Sequence, residues 1–209
     1  MARKPVFVIA AEVAAELNKG MLIAKRLLLV ASNARALAQR AGESAAGFRP
    51  ITDSIDDLVR VTLAASHTIN VKAQSLSKIA TAGTRASNAL DRFETVYEKA
   101  VDATYLHSLD EARIRNQAEY DTICHHFTSE AKGLHDLLQT LYDELRIAQI
   151  ISTMLSVEAS QADEKHQAQL NTIAESVAEL ADAIQSHVLQ SLKLFSLFAR
   201  VNYAIKSTI

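Results

Sequence analysis

Tryptophan is absent from these 209 residues, cysteine occurs once, proline twice and glycine five times, and aromatics amount to 5%. Each shortage excludes something. The single cysteine, Cys124, cannot close an internal disulfide and fits a reducing cytoplasm. So few glycines and prolines leave few places to turn, which argues against a sheet protein and for long helices. With so few aromatic rings, the core has to be aliphatic and rich in alanine. Net charge is small, −2 from 22 basic and 24 acidic residues read as interspersed, so no nucleic acid or other polyanion is indicated as a partner. No run reaches the ~18 apolar residues of a membrane span, and Lys25-Arg26 directly precede Leu27-Leu28-Leu29. No membrane insertion is expected. Arg3-Lys4 precede Val6 to Ala15, but Glu12 interrupts that run and no small-residue cleavage pattern follows, so a secretory leader is not expected either. The expected location is the cytoplasm.

What the chain does have is 49% hydrophobic residues in a regular order. Alternate steps of four and three from Val6 land on Ala10, Val13, Leu17, Gly20, Ala24, Leu27, Ala31, Ala34, Ala38 and Ala41. That is the heptad seam of helices packed side by side. A second seam runs from Ile51 through Ile55, Leu58, Thr62, Ile69, Leu76, Ala86 and Phe93 to Ala100, with Lys72 the one charged exception. Its helix spans about 50 residues, roughly 75 Å. A third seam runs from Tyr120 through Cys124, Phe127, Leu134, Leu141 and Leu155 to Ala162. The fourth runs from Leu170 through Val177, Ile184, His187, Ser191 and Leu194 to Ile205. Between them, Gly42, Gly47 and Pro50 cluster as one turn, Ser108-Leu109-Asp110-Glu111 has the form of a capping box, and residues 163–169 (DEKHQAQ) are polar. Pro5 suits the first turn of the first helix. The expected fold is all-α: a long antiparallel four-helix bundle, one domain over residues 1–209, with two long helices in the middle.

The halves echo each other. Ile51 to Leu58 resembles Ile173 to Leu180, 122 positions on, and Ala36 to Glu43 resembles Val157 to Glu164, 121 positions on. A duplicated hairpin follows from this: residues 5–107 with a tip at about 42–50, and residues 108–209 with a tip at about 163–169. Both tips then lie at one end of the rod.

The first tip carries Asn33-Ala34, Arg40-Ala41-Gly42-Glu43, Gly47-Phe48, Asp53, Ile55 and Leu58. In that order, inside a heptad hairpin, these residues resemble the signalling tip of the bacterial chemoreceptors, the methyl-accepting chemotaxis proteins. Strong likeness is confined to about a seventh of the chain. The resemblance implies a non-enzymatic signalling protein without catalytic residues, cofactor or metal, which contacts the chemotaxis histidine kinase and its coupling adaptor. The contact residues it implies are Arg40, Gly42, Glu43, Gly47, Phe48 and Asp53, with Glu158 and Glu164 from the second hairpin. Phe48 has a second reading as a cap on the bundle core. Departures from the family pattern are also plain. The glutamate expected three residues before Arg40 is Leu37, the family's Phe-Gln-Thr-Asn segment is Lys25-Arg26-Leu27-Leu28, and the second tip has Asp163 and Gln169 for the glycine and phenylalanine. No adjacent Glu/Gln pair of the methylated kind occurs, so receptor trimers and methylation-dependent adaptation are not implied.

The seven histidines suggest a different class, a ligand- or metal-binding helical-bundle sensor; a structural scaffold bundle is the plainest alternative. Lys132-Gly133 follow His126 by six positions, not the three of a histidine-phosphotransfer site. Consecutive helical residues point about 100° apart, so Cys124-His125-His126 cannot converge on one ion unaided. Cys124, on the seam, reads as a structural thiol, and His187 as either a bonded seam histidine or a pH-sensitive one. Leu194 to Phe198 is apolar on more than one face, and the seams could be shared between chains, so a homodimer stands open beside a monomer.

Overall fold

The computed structural model describes residues 6–206, with the side chains of 9, 12–43 and 46–196. Pro5 lies outside the described residues, as do the seam side chains of Val6, Ala10, Phe198, Val201 and Ile205. The described chain is 94% helical. Its elements are α1 (Val6–Ala41), α2 (Phe48–Lys99), α3 (Asp110–Leu145), α4 (Ile147–Gln161) and α5 (Glu164–Lys206). Short 3-10 turns cover Gly42–Ala45 and Leu106–Leu109. The fold is all-α.

α2 is 52 residues long, close to the length of its seam. Pro50 sits at its third residue, where a missing N–H costs no intrahelical bond. α1 packs on α2 and α5, α2 on α3 and α4, and both α3 and α4 on α5. Moving from Lys72 to Ala86 along α2 moves the bonded partner back from Glu130 to Asn116 along α3. Lys72, the charged seam residue, is half-buried, and its ammonium reaches Glu130 Oε2 at 3.1 Å.

The predicted seams form the core over much of their length: Val13, Ala24, Leu27, Ile55, Ile69, Leu76, Leu134, Leu138, Leu155, Leu170 and Val177 are all fully buried, whereas Leu90, Phe93, Tyr97, Tyr120 and Cys124 are only half-buried. Burying each leucine or isoleucine contributes about 1.5–3 kcal/mol against exposure. A further row adds to the two-position seam. Thr52, Val59, Ser66, Ala73 and Ala80 on α2, and Ala174, Ala181, Val188 and Phe195 on α5, recur every seven residues and are buried. The apolar stripe is thus wider than a two-position coiled-coil seam. Buried hydroxyls stay satisfied locally: Thr62 donates to Leu58 O at 2.7 Å and Ser191 to His187 O at 2.9 Å.

Three local expectations need correcting. Ser108 is not a helix cap. It lies inside the 3-10 turn and donates to Tyr105 O at 2.7 Å, while Glu111 pairs with Arg115 at 2.8 Å. The connection is closed instead by Asp110, which accepts from the Tyr97 hydroxyl and contacts His107 Nδ1 at 3.1 Å, with Arg113 over the Tyr97 ring. The bond from Tyr97, and then that from His107, hold the Asp110 carboxyl below the usual carboxylate range.

The polar stretch 163–169 is not a loop either. α5 starts at Glu164, because this stretch holds helix formers without glycine or proline, and Asp163 O accepts the His166 amide at 2.8 Å. The third correction concerns the seam from Tyr120 to Ala162, which is divided between α3 and α4. At Arg146 the bonding tightens, so its amide reaches Asp143 O at 3.2 Å and Gln149 N reaches Arg146 O at 3.3 Å, with helical dihedrals kept.

Candidate contact tip

α1 stops at Ala41 because Gly42 adopts φ +68°, the left-handed region that glycine enters without steric cost. Gly42 is the only described residue with a positive φ. A Cβ placed on it would meet nothing within 4 Å, so the glycine is required by backbone conformation and not by space. The chain then turns through Ala46 and Gly47 into Phe48, with Ala46 N bonded to Glu43 O at 3.2 Å and Arg49 N to Ala46 O at 3.3 Å.

Gly47 is needed for the opposite reason. A Cβ there would fall inside the Glu158 carboxylate, so the side chain of Glu158, on α4, lies against the backbone of the first turn. The two residues come from different halves of the chain and meet at one place. Gly42 and Gly47 therefore serve two separate needs, a left-handed turn and a close crossing.

The remaining predicted residues divide sharply. Arg40 and Glu43 are exposed, and Arg40 Nε donates to Ala36 O, at 3.3 Å. Glu164 is exposed at the start of α5. Phe48 is fully buried, so its ring packs under the turn as the cap on the core and presents no surface to a partner. Asp53 is already engaged: Arg35 Nη2 donates to Asp53 Oδ1 at 2.6 Å and to Asp56 Oδ2 at 2.5 Å. The Asp53 bond, followed by the Asp56 charge, raises Arg35 above the ordinary guanidinium value. This exposed cluster ties α1 to α2 just below the turn.

Beside Glu158 opens an apolar groove of about 360 Å³, lined by Ile51 of α2 and by Ile150, Thr153, Met154 and Val157 of α4. Ile147, Ile150, Met154 and Val157 are each half or more exposed. The sequence reading missed this groove. Its signal was present: apolar residues at 147, 150, 154 and 157 repeat the three-four spacing beside the buried row of Ala148, Ile151, Leu155 and Ala159. Arg35 and Asp56 were missed as well, and nothing in their local pattern marks them.

The histidines do not gather. His187 Nδ1 lies 2.7 Å from Glu16 Oε2, joining α5 to α1, and Lys19 holds the same carboxylate at 2.6 Å. Those two bonds, Lys19 first, depress the Glu16 carboxyl. His166 Nδ1, on the first turn of α5, is buried without a hydrogen-bond partner among the described residues. Cys124 is half-buried, and burial, followed by a bond with Cys124, raises the Tyr120 phenol. No cluster of three histidine, cysteine or carboxylate side chains that could hold a metal occurs among the described residues. Also among these residues, no helix is long and apolar enough to cross a membrane. Comparison with protein-family models, with curated sequences and with solved structures finds no match.

Proposed function

We propose that this chain is a soluble, cytoplasmic, receptor-like signalling rod of bacterial chemotaxis, without chemistry of its own. Its architecture is a long antiparallel four-helix bundle of two tandem hairpins, residues 5–107 and 108–209, with both turns at one end. That end contacts the chemotaxis histidine kinase or its coupling adaptor. The observation that carries the reading is the turn itself. Gly42 of the Arg40-Ala41-Gly42-Glu43 run takes the left-handed conformation that ends α1, leaving Arg40 and Glu43 exposed on either side. Charged side chains at a glycine-shaped end, beside an apolar groove, supply a polar rim and an apolar seat, the two parts of a protein contact. A partner's apolar side chain would enter between Ile51 and Met154, with Arg40 and Glu43 setting orientation.

The test is a pull-down of purified chemotaxis kinase and adaptor with wild type and with Glu43→Lys. Glu43 is exposed, so the substitution leaves helicity intact; it is expected to weaken capture by about tenfold or more. Failure of the wild type to capture either protein would overturn the reading.

A further inference from the structure

The small net charge conceals a division between the halves of the chain. Residues 1–90 hold 12 basic and 6 acidic side chains, whereas residues 91–209 hold 10 basic and 18 acidic ones. No acidic residue lies between Glu16 and Glu43, nor between Asp57 and Asp91. These two acid-free stretches are most of α1 and the central part of α2, which pack against each other. The charges are therefore divided along the chain, and α1 itself holds five basic and two acidic side chains.

The outer surface of this pair is apolar as well as basic. Leu22, Leu28 and Leu29 of α1 are 55%, 45% and 66% exposed, and Val71 of α2 is 54% exposed. Lys25 and Arg26 stand among the leucines with no carboxylate partner among the described residues, as do Lys78 and Arg85 on α2. Leu28 falls seven residues before Arg35, which reaches Asp53 and Asp56, so it lies on the flank of α1 that borders α2. Asp53 in turn shares its heptad position with Arg60 and His67, which places those two on the flank of α2 that borders α1. On α1, Leu22, Lys25, Arg26 and Leu29 fall within about 100° of one another and form one exposed stripe, with Leu28 towards its α2 edge.

We propose that this α1–α2 face binds peripherally to the surface of an anionic phospholipid bilayer. Charge complementarity requires an anionic partner, and the leucines select which one. A nucleic-acid backbone gives no return for exposed aliphatic side chains, whereas a bilayer takes up both groups, cations at the headgroups and leucines at the acyl boundary. Lys25 and Arg26 supply attraction to the headgroups, and Leu22 and Leu29, seven residues apart on one stripe of α1, enter the interface. The face lies flat without any helix crossing. The acidic second half, repelled by the same surface, orients the molecule with α1 and α2 towards the lipid.

Vesicle co-sedimentation of the full chain tests this, independently of any chemotaxis partner. Vesicles of phosphatidylcholine alone are compared with vesicles containing phosphatidylglycerol, at low and high salt. Wild type is expected to bind only the anionic vesicles, and to release them at high salt. Lys25→Glu with Arg26→Glu is expected to weaken binding about thirtyfold or more, about fivefold for each cation near the surface. Leu22→Ser with Leu29→Ser is expected to lose vesicle binding while retention on heparin stays unchanged, which separates lipid from other polyanions. All four positions are exposed, and circular dichroism checks that the variants remain helical. Absence of wild-type binding to anionic vesicles overturns the proposal. So does vesicle binding that survives the serine variant, which would leave a polyanion surface only.

Discussion

Gly42 and Phe48 illustrate how two residues of one short motif do different physical work. Gly42 holds a left-handed backbone in open space, so Gly42→Ala introduces strain without a clash. Its expected cost is about 1 kcal/mol, read as a lower urea midpoint with unchanged helicity. Phe48 is fully buried, and Phe48→Ala removes a ring from a closed site. The expected cost is about 3–5 kcal/mol, because the transfer loss and the cavity add. If Phe48→Ala proved as mild as Gly42→Ala, the ring would not be the support under the turn. Because the ring is fully buried, weaker partner capture by Phe48→Ala is expected to report a loosened tip, and not the loss of a contact made by the ring.

At the scale of elements, the crossings are held by few polar links over a broad aliphatic contact. The α1–α5 crossing has the half-buried pair Glu16 and His187, with Lys19 on the same carboxylate. Because the folded Glu16 value is depressed, its contribution is fully present above the ordinary glutamate value, about 4.3, and is lost as pH falls through the lower folded value. Glu16→Gln is expected to flatten the acid limb of the stability–pH curve between about pH 5 and pH 3. Urea midpoints measured across that window check it. A variant whose acid limb tracks the wild type would show that the pair contributes nothing there. The division between α3 and α4 at Arg146 belongs to this scale too, since helical dihedrals persist and the buried row continues from Leu145 to Ala148.

For the whole molecule, the contact of Gly47 with Glu158 brings the turn between α1 and α2 against the end of α4. Spin labels at Glu43→Cys and Glu164→Cys, in a Cys124→Ser background, measure where the two turns stand. The expected separation is roughly 20 Å, two helix diameters, against about 75 Å if the turns were at opposite ends of α2. The long distance would remove the bundle with both turns at one end, and with it the composite tip. Residues 1–90 and 91–209 differ in charge, with basic residues in excess in the first stretch and acidic ones in the second, although the net charge is −2.

The all-helical character, the seam from which much of the core is built and the place where α1 ends are all legible in the amino-acid order. Each of these is local: heptad spacing, alanine-rich helix formers and a glycine able to take positive φ act within a few residues of themselves. The wider buried row at Thr52, Val59, Ser66 and Ala73 was already less legible, because its small and polar members carry little hydrophobic signal. The basic and acidic halves could be counted from the chain, but not the face on which the cations join exposed leucines. Tertiary structure alone decided that Arg35 takes Asp53 and Asp56, that Glu158 lies against Gly47, that Phe48 faces inward and that Ile51 borders a groove with Met154. Those outcomes depend on how far each helix is rotated and shifted against its neighbours. A period of seven fixes which stripe is buried, and leaves the axial register to the packing of every side chain along the helices.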